Sequence, residues 1–110
     1  MDLGLTGKTA LISGSSKGIG LSIAKYLHKE GCNVVLNGRY SKLLKEISNS
    51  LGSRSSYFAA DVTKISECTK LVNHVIKTFG NIDILICNVG DGSSPKPGKE
   101  QISDWQKMLD

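Results

Sequence analysis

Aromatic residues make up only 5% of this 110-residue chain, and proline occurs twice. So sparse a set of rings offers no stacking platform for nucleic-acid bases. No apolar run approaches the length of a membrane span, and the N-terminus Met1-Asp2-Leu3-Gly4-Leu5 lacks the basic start and apolar core of a secretory signal. A cytoplasmic protein without a membrane partner is expected. Cysteine is scarce as well: Cys32, Cys68 and Cys87 are odd in number, far apart and outside any CxxC pair, so free thiols in a reducing compartment are expected. His28 and His74 stand alone, without a second ligand at metal-binding spacing, which points to surface or helix-packing roles and to no metal site. The net charge of +4 comes from basic residues spread along the chain, a solvated surface and not a nucleic-acid stripe.

What is present is the balance of a globular domain, with 39% hydrophobic and 22% charged residues. The most informative stretch runs from Ser13 to Gly20, Ser-Gly-Ser-Ser-Lys-Gly-Ile-Gly. It follows a short, unalternating apolar strand signal, Thr9-Ala10-Leu11-Ile12, as expected where a parallel sheet buries both faces. It precedes a helix signal in which Ile19, Ile23 and Leu27 recur four apart beside Ala24, one stripe that would pack on the sheet before Gly31 ends the helix. In such a strand-turn-helix, Gly14 would allow the tight turn, Gly18 the close approach of a pyrophosphate, and Gly20 the close contact of helix and strand. The unsatisfied N–H groups and positive dipole end of the helix favour an anion there without any basic side chain.

The alternation continues. Asn33–Asn37 reads as a second strand, followed by a helix capped at Ser41 with Leu43, Leu44, Ile47 and Leu51 on one side and Gly52 at its end. Tyr57–Ala60 reads as a third strand. Ser66 would then cap a helix with Leu71, Val72, Val75, Ile76 and Phe79 as its apolar stripe, stopped by Gly80. Ile82–Cys87 reads as a fourth strand, and Ile102, Trp105, Met108 and Leu109 suggest a further helix after the glycine-proline loop Gly90 to Gly98. Strands alternating with helices call for an α/β, doubly wound parallel sheet, here with strand order 3-2-1-4. Strand four would be an edge in this chain although its apolar run suits a strand flanked on both sides, so more chain is expected to follow.

These residues resemble the short-chain dehydrogenase/reductase family, its 3-oxoacyl-carrier-protein reductases among them. The family's TGxxxGxG is met by Gly14, Gly18 and Gly20, with Ser13 in place of threonine; Asp61-Val62 follows strand three, and Cys87-Asn88-Val89-Gly90 stands where the family usually has Asn-Asn-Ala-Gly. The resemblance spans essentially the whole chain. It implies a Rossmann-type NAD(P)-binding domain over residues 1–110, incomplete at its C-terminal side, forming the first four strands of a larger single domain. The turn residues Gly14, Ser16, Lys17, Gly18, Ile19 and Gly20 would then hold the cofactor. Asp61 would accept from the adenine amino group, Val62 would pack beside the base, and Asn88, followed by Gly90, would tie the end of strand four to neighbouring backbone near the ribose.

Charge points to the choice of cofactor. An enzyme preferring NAD places a carboxylate at the end of strand two, which holds the ribose hydroxyl and repels the extra phosphate of NADP. Gly38 occupies that position here, Arg39 follows, and Lys17 lies in the glycine turn, so NADPH is expected over NADH. The catalytic group is another matter. The family's Tyr-x-x-x-Lys pair is absent, since none of Tyr26, Tyr40 and Tyr57 has lysine four residues on, and no catalytic residue is assigned.

Two readings follow. The preferred one is the cofactor-binding part of a longer NADPH-dependent oxidoreductase that interconverts a small-molecule carbonyl and its alcohol, inactive as these 110 residues alone; the family resemblance, and not this segment, implies a homo-oligomer when full length. The other is a non-catalytic nucleotide-binding or interaction protein ending at Asp110. Lys96 or Lys99 in the long loop would help receive an acidic substrate, or would be solvated loop lysines.

Overall fold

The computed structural model describes residues 4–88. Four strands and three helices alternate: β1 (Thr9–Ser13), α1 (Gly18–Lys29), β2 (Asn33–Gly38), α2 (Ser41–Leu51), β3 (Ser55–Ala59), α3 (Ile65–Phe79) and β4 (Ile84–Cys87). All pairings are parallel and the order is β3-β2-β1-β4, the doubly wound arrangement read from the sequence. The central register sets Leu11 against Val35 on one side and against Leu85 on the other.

Alternation along the strands divides the core between the two faces of the sheet. Ala10, Ile12, Val34 and Leu36 point to the face covered by Ala24 and Leu27 of α1 and Leu44 of α2. Leu11 and Val35 point to the other, against Cys68, Leu71 and Val75 of α3. Every residue of β1 is buried, the position of a strand enclosed by two neighbours and two helix layers. Leu11, Leu36, Leu44 and Leu71 are fully buried, and each contributes about 1.5–3 kcal/mol by leaving water.

The helix faces differ in detail from the periodicity. In α1 the buried line runs through Gly20, Ala24 and Leu27, while Ile19 is 72% exposed. Ile19 sits one residue, about 100° of helix, away from that line and at the mouth of the turn, so it does not join the stripe. Leu43 and Ile76 are also exposed, and Ser48 and Cys68 are buried in their helices instead.

Helix starts differ too. Leu44 N–H bonds the Tyr40 carbonyl, which makes Tyr40 the N-cap and Ser41 the first helical residue. A turn from Asp61 to Lys64, closed by a 3.1 Å backbone bond, feeds α3 two residues before its expected cap, so Ser66 lies inside the helix and Lys64 is the N-cap. Gly31, Gly52 and Gly80 follow the three helices with positive φ, as expected. Strand bounds shift by one or two residues. β4 begins at Ile84 and not Ile82, because the Asp83 carboxylate accepts the Thr9 N–H at 2.9 Å and thereby takes the place of a ladder carbonyl.

No described helix is long and apolar enough to cross a membrane. His74 packs as anticipated for a helix residue: its ring is tilted against Phe58 at 5.0 Å, and its Nε2 lies 2.8 Å from the Ser56 hydroxyl. His28 bonds the Ser53 carbonyl at 2.7 Å through Nε2. None of the three cysteines is in a disulfide; Cys32 and Cys68 are buried and Cys87 is exposed.

Candidate cofactor-binding site

Because all strands run parallel, Ser13, Gly38, Ala59 and Cys87 end β1, β2, β3 and β4 at the same edge of the sheet. Two structures are built on that edge.

The first is the turn between β1 and α1. The Ser13 hydroxyl donates to the Ile86 carbonyl at 3.3 Å and accepts the Asn88 N–H at 3.0 Å, while Asn88 Nδ2 donates to the Gly14 carbonyl at 3.1 Å. Asn88 therefore ties the end of β4 to the glycine turn. Backbones approach so closely that a Cβ on Gly14 would overlap the Asn88 carbonyl oxygen. One on Gly20 would overlap the Gly14 carbonyl and come within 2.6 Å of Asn88 Nδ2. Gly14 and Gly18 also adopt φ of 61° and 62°, left-handed values that disfavour any side chain. Around Gly18, in contrast, a Cβ would meet nothing within 4 Å, so the requirement there is conformational and the space beyond is open.

Lys17, extended at φ −162°, is the N-cap of α1 and makes no side-chain capping bond, and the first turn holds no acidic residue. The first N–H groups of α1 thus lack a capping side chain, and the helix dipole is not offset by a nearby carboxylate. Such a helix start has the donor chemistry to cradle an anion with backbone alone. Ser16 is half-buried, and Lys17 and Ile19 are exposed at its rim.

Beneath the cradle lie two residues that sequence reasoning missed. Ser15 is fully buried; its hydroxyl donates to the Ile12 carbonyl at 2.8 Å and accepts the Asn37 N–H at 2.8 Å, and its own N–H donates to the Asn37 carbonyl at 2.8 Å. Asn37 Nδ2 in turn donates to the Phe58 and Ala60 carbonyls at 3.1 and 3.4 Å. The pair stitches the turn to β2 and β2 to the end of β3. A serine beside a turn glycine and an asparagine inside an apolar strand were the available signals.

The second structure is a cleft of about 220 Å³ lined by Arg39, Ala59, Ala60, Asp61 and Glu67. Arg39 leaves the end of β2, and its Nη2 stands 3.7 Å from Asp61 Oδ1 across the cleft, with the arginine side chain 67% exposed. The Thr63 hydroxyl and N–H donate to the same Oδ1 at 2.6 and 3.0 Å. These bonds, hydroxyl first, hold the Asp61 carboxyl below its ordinary pKa, assisted by the Arg39 and Lys64 charges. Glu67 Oε1 accepts the Asp61 N–H at 3.2 Å. Val62 is 6% exposed, its side chain in the core facing α3. Gly38 does end β2, and a Cβ there would lie 3.4 Å from Ser16. Lys17 forms no ion pair among the described residues. Gly90, Lys96, Lys99 and the helix expected near Trp105 lie outside the described residues.

With this geometry the likeness to known proteins is specific. Residues 8–110 match the family model described as short chain dehydrogenase. An uncharacterized oxidoreductase of Staphylococcus aureus (strain MRSA252) is 39% identical over 107 residues, 96% of this chain and 46% of that protein. One from Staphylococcus epidermidis is 37% identical over 103 residues, 94% and 45% of the two chains. Among solved structures, L-sorbose reductase from Gluconobacter frateurii, complexed with NADPH and L-sorbose, superposes with a TM-score of 0.81 at 38% identity, covering 99% of this chain and 44% of that one. Actinorhodin polyketide ketoreductase with NADPH gives a TM-score of 0.69 at 32% identity over 88% of this chain and 40% of its own.

The chain belongs to the short chain dehydrogenase family, a family of oxidoreductases. It spans about half the length of the curated relatives it matches.

Proposed function

We propose that residues 1–110 are the NADP-binding part of an oxidoreductase that interconverts a small-molecule carbonyl and its alcohol. The observation that carries this reading is the uncapped N-terminus of α1, held under a glycine turn that Asn88 and Ser13 lock in place. Its fit to a dinucleotide is a matter of donor chemistry. Backbone N–H groups and a dipole suit the pyrophosphate, with Ser16, Lys17, Gly18 and Ile19 at the rim. The cleft between Arg39 and Asp61 suits the adenine, with an acceptor carboxylate for its amino group.

The preference for NADPH rests on charge. Gly38 places no carboxylate at the end of β2, and Arg39, 67% exposed, offers a planar guanidinium for the additional phosphate, with Lys17 as a second positive charge. Both solved relatives named above are complexes with NADPH, which supports the same choice. When bound, the nicotinamide supplies hydride; these residues bind and orient it. Proton delivery is assigned to chain beyond this segment, because no tyrosine here is followed by lysine four residues on.

The test is titration of the full-length protein and its Lys17→Ala/Arg39→Ala variant with NADPH and NADH. The NADPH affinity should fall about tenfold or more, the range of a charge-assisted bond, with NADH little changed. An unchanged ratio of the two affinities would overturn the assignment. Carbonyl-dependent oxidation of NADPH by the full-length protein, and none by residues 1–110, is the companion expectation.

A further inference from the structure

Asp61 is held from two sides by residues to which the sequence reading gave no role. Thr63 donates to its Oδ1 twice, at 2.6 Å from the hydroxyl and 3.0 Å from the backbone, and Arg39 faces that same oxygen at 3.7 Å. Glu67, rooted in the first turn of α3, accepts the Asp61 backbone N–H at 3.2 Å through Oε1. Among the described residues, every hydrogen bond and ion pair of the carboxylate falls on one oxygen. Oδ2 has no hydrogen bond or ion pair among the described residues.

The consequence is directional. A carboxylate anchored by two donors on one oxygen cannot swing freely about its terminal torsion, and a backbone N–H tied to α3 limits movement of the residue itself. The remaining acceptor is therefore presented in a restricted direction by a residue of the cleft wall, which Asp61 and Glu67 both line. An acceptor fixed in this way favours a ring amino group. A base bearing a carbonyl at that place would set two acceptors against each other and leave the carboxylate unpaired.

Resting on the reading that this cleft receives the base of NADPH, we propose that Thr63 and Glu67 are positioning residues that aim the open oxygen of Asp61, and so select a base with an amino donor over one with a carbonyl. Neither residue need touch the cofactor for this role. Thr63 is exposed and Glu67 is half-buried, so both can be changed with little disturbance of the core.

The experiment measures dissociation constants of the full-length protein for NADPH and for its hypoxanthine analogue, which carries a carbonyl in place of the 6-amino group. Wild type is compared with Thr63→Val, Thr63→Ser and Glu67→Ala, with melting temperatures as the check on folding. The wild type should prefer NADPH about tenfold or more. Thr63→Val and Glu67→Ala should bring the two affinities within about threefold of each other, and Thr63→Ser, which keeps the hydroxyl, should restore the preference. A variant that weakens both dinucleotides equally, leaving their ratio intact, shows a merely structural role and overturns the proposal while the NADPH reading stands. A wild type that binds both equally well does the same. If the wild type binds neither, the cofactor reading falls and the proposal with it.

Discussion

The two parts of the candidate site, the glycine turn and the cleft, are built from different materials. At the turn after β1 the contacts are backbone against backbone, with Gly14, Gly20 and the Asn88 carbonyl leaving no room for a Cβ, and with Ser15 buried under the turn. At the Arg39 end every contact of the Asp61 carboxylate and N–H involves a side chain, and the guanidinium is 67% exposed. The first end is part of the packing of the fold, so it cannot vary without cost to folding. The second is joined to the fold by a few polar contacts at the surface, so its charge and selectivity can change while stability stays nearly constant. On the proposed reading, one site thus separates holding a ligand from choosing among ligands.

The sharpest way to break this contrast is Gly14→Ala. The left-handed φ of 61° and the overlap with the Asn88 carbonyl act together, and a loss of about 2–5 kcal/mol is expected in urea unfolding of the full-length protein. A loss below about 1 kcal/mol would mean that the turn relaxes easily and that the contrast is false.

Ser15→Ala comes next. It leaves the buried Asn37 N–H without its 2.8 Å partner, and should cost about 1–3 kcal/mol by the same measurement. Arg39→Ala should cost under about 0.5 kcal/mol, since exposed ion pairs contribute little to stability, even as it weakens NADPH binding. A large drop in melting temperature for that variant would show that the Arg39 end is structural after all.

The smallest effect lies outside the candidate site, at His74 on α3. Burial, with the Lys77 charge beside it, holds the His74 pKa below its ordinary value. The unfolded chain therefore binds the proton more readily. The associated stability is present above about pH 6.5, the unfolded value, and is lost as the pH falls through the lower folded value. His74→Gln should flatten the decline in melting temperature from about pH 6.5 downward, and an unchanged slope would show that the decline has another origin.

Much of the fold was legible because its signals are local. An unalternating apolar run, a change to helical period and a glycine at each helix end set the element order, and the parallel order β3-β2-β1-β4 follows from alternating strands and helices. The misreadings share one cause. Ile19, Leu43 and Ile76 have the spacing of a buried stripe, but whether a helical position is covered depends on where the helix lies over the sheet. Ser41 and Ser66 have the chemistry of caps, but the backbone turns that deliver the chain into α2 and α3 begin those helices earlier.

The candidate site divides along the same line. By itself the sequence determined the glycine turn, the absence of an acid at Gly38 and the presence of Arg39 and Asp61, because each is a property of residue type and local order. Only the tertiary structure decided that Ser15 pairs with Asn37, that Arg39 faces Asp61 across a cleft, and that Thr63 and Glu67 leave one oxygen of Asp61 open. The physical reason lies in range. Periodicity and turn chemistry act over a few residues, whereas the Ser15–Asn37 and Arg39–Asp61 contacts join residues from different strand ends, and only the folded sheet brings those ends together.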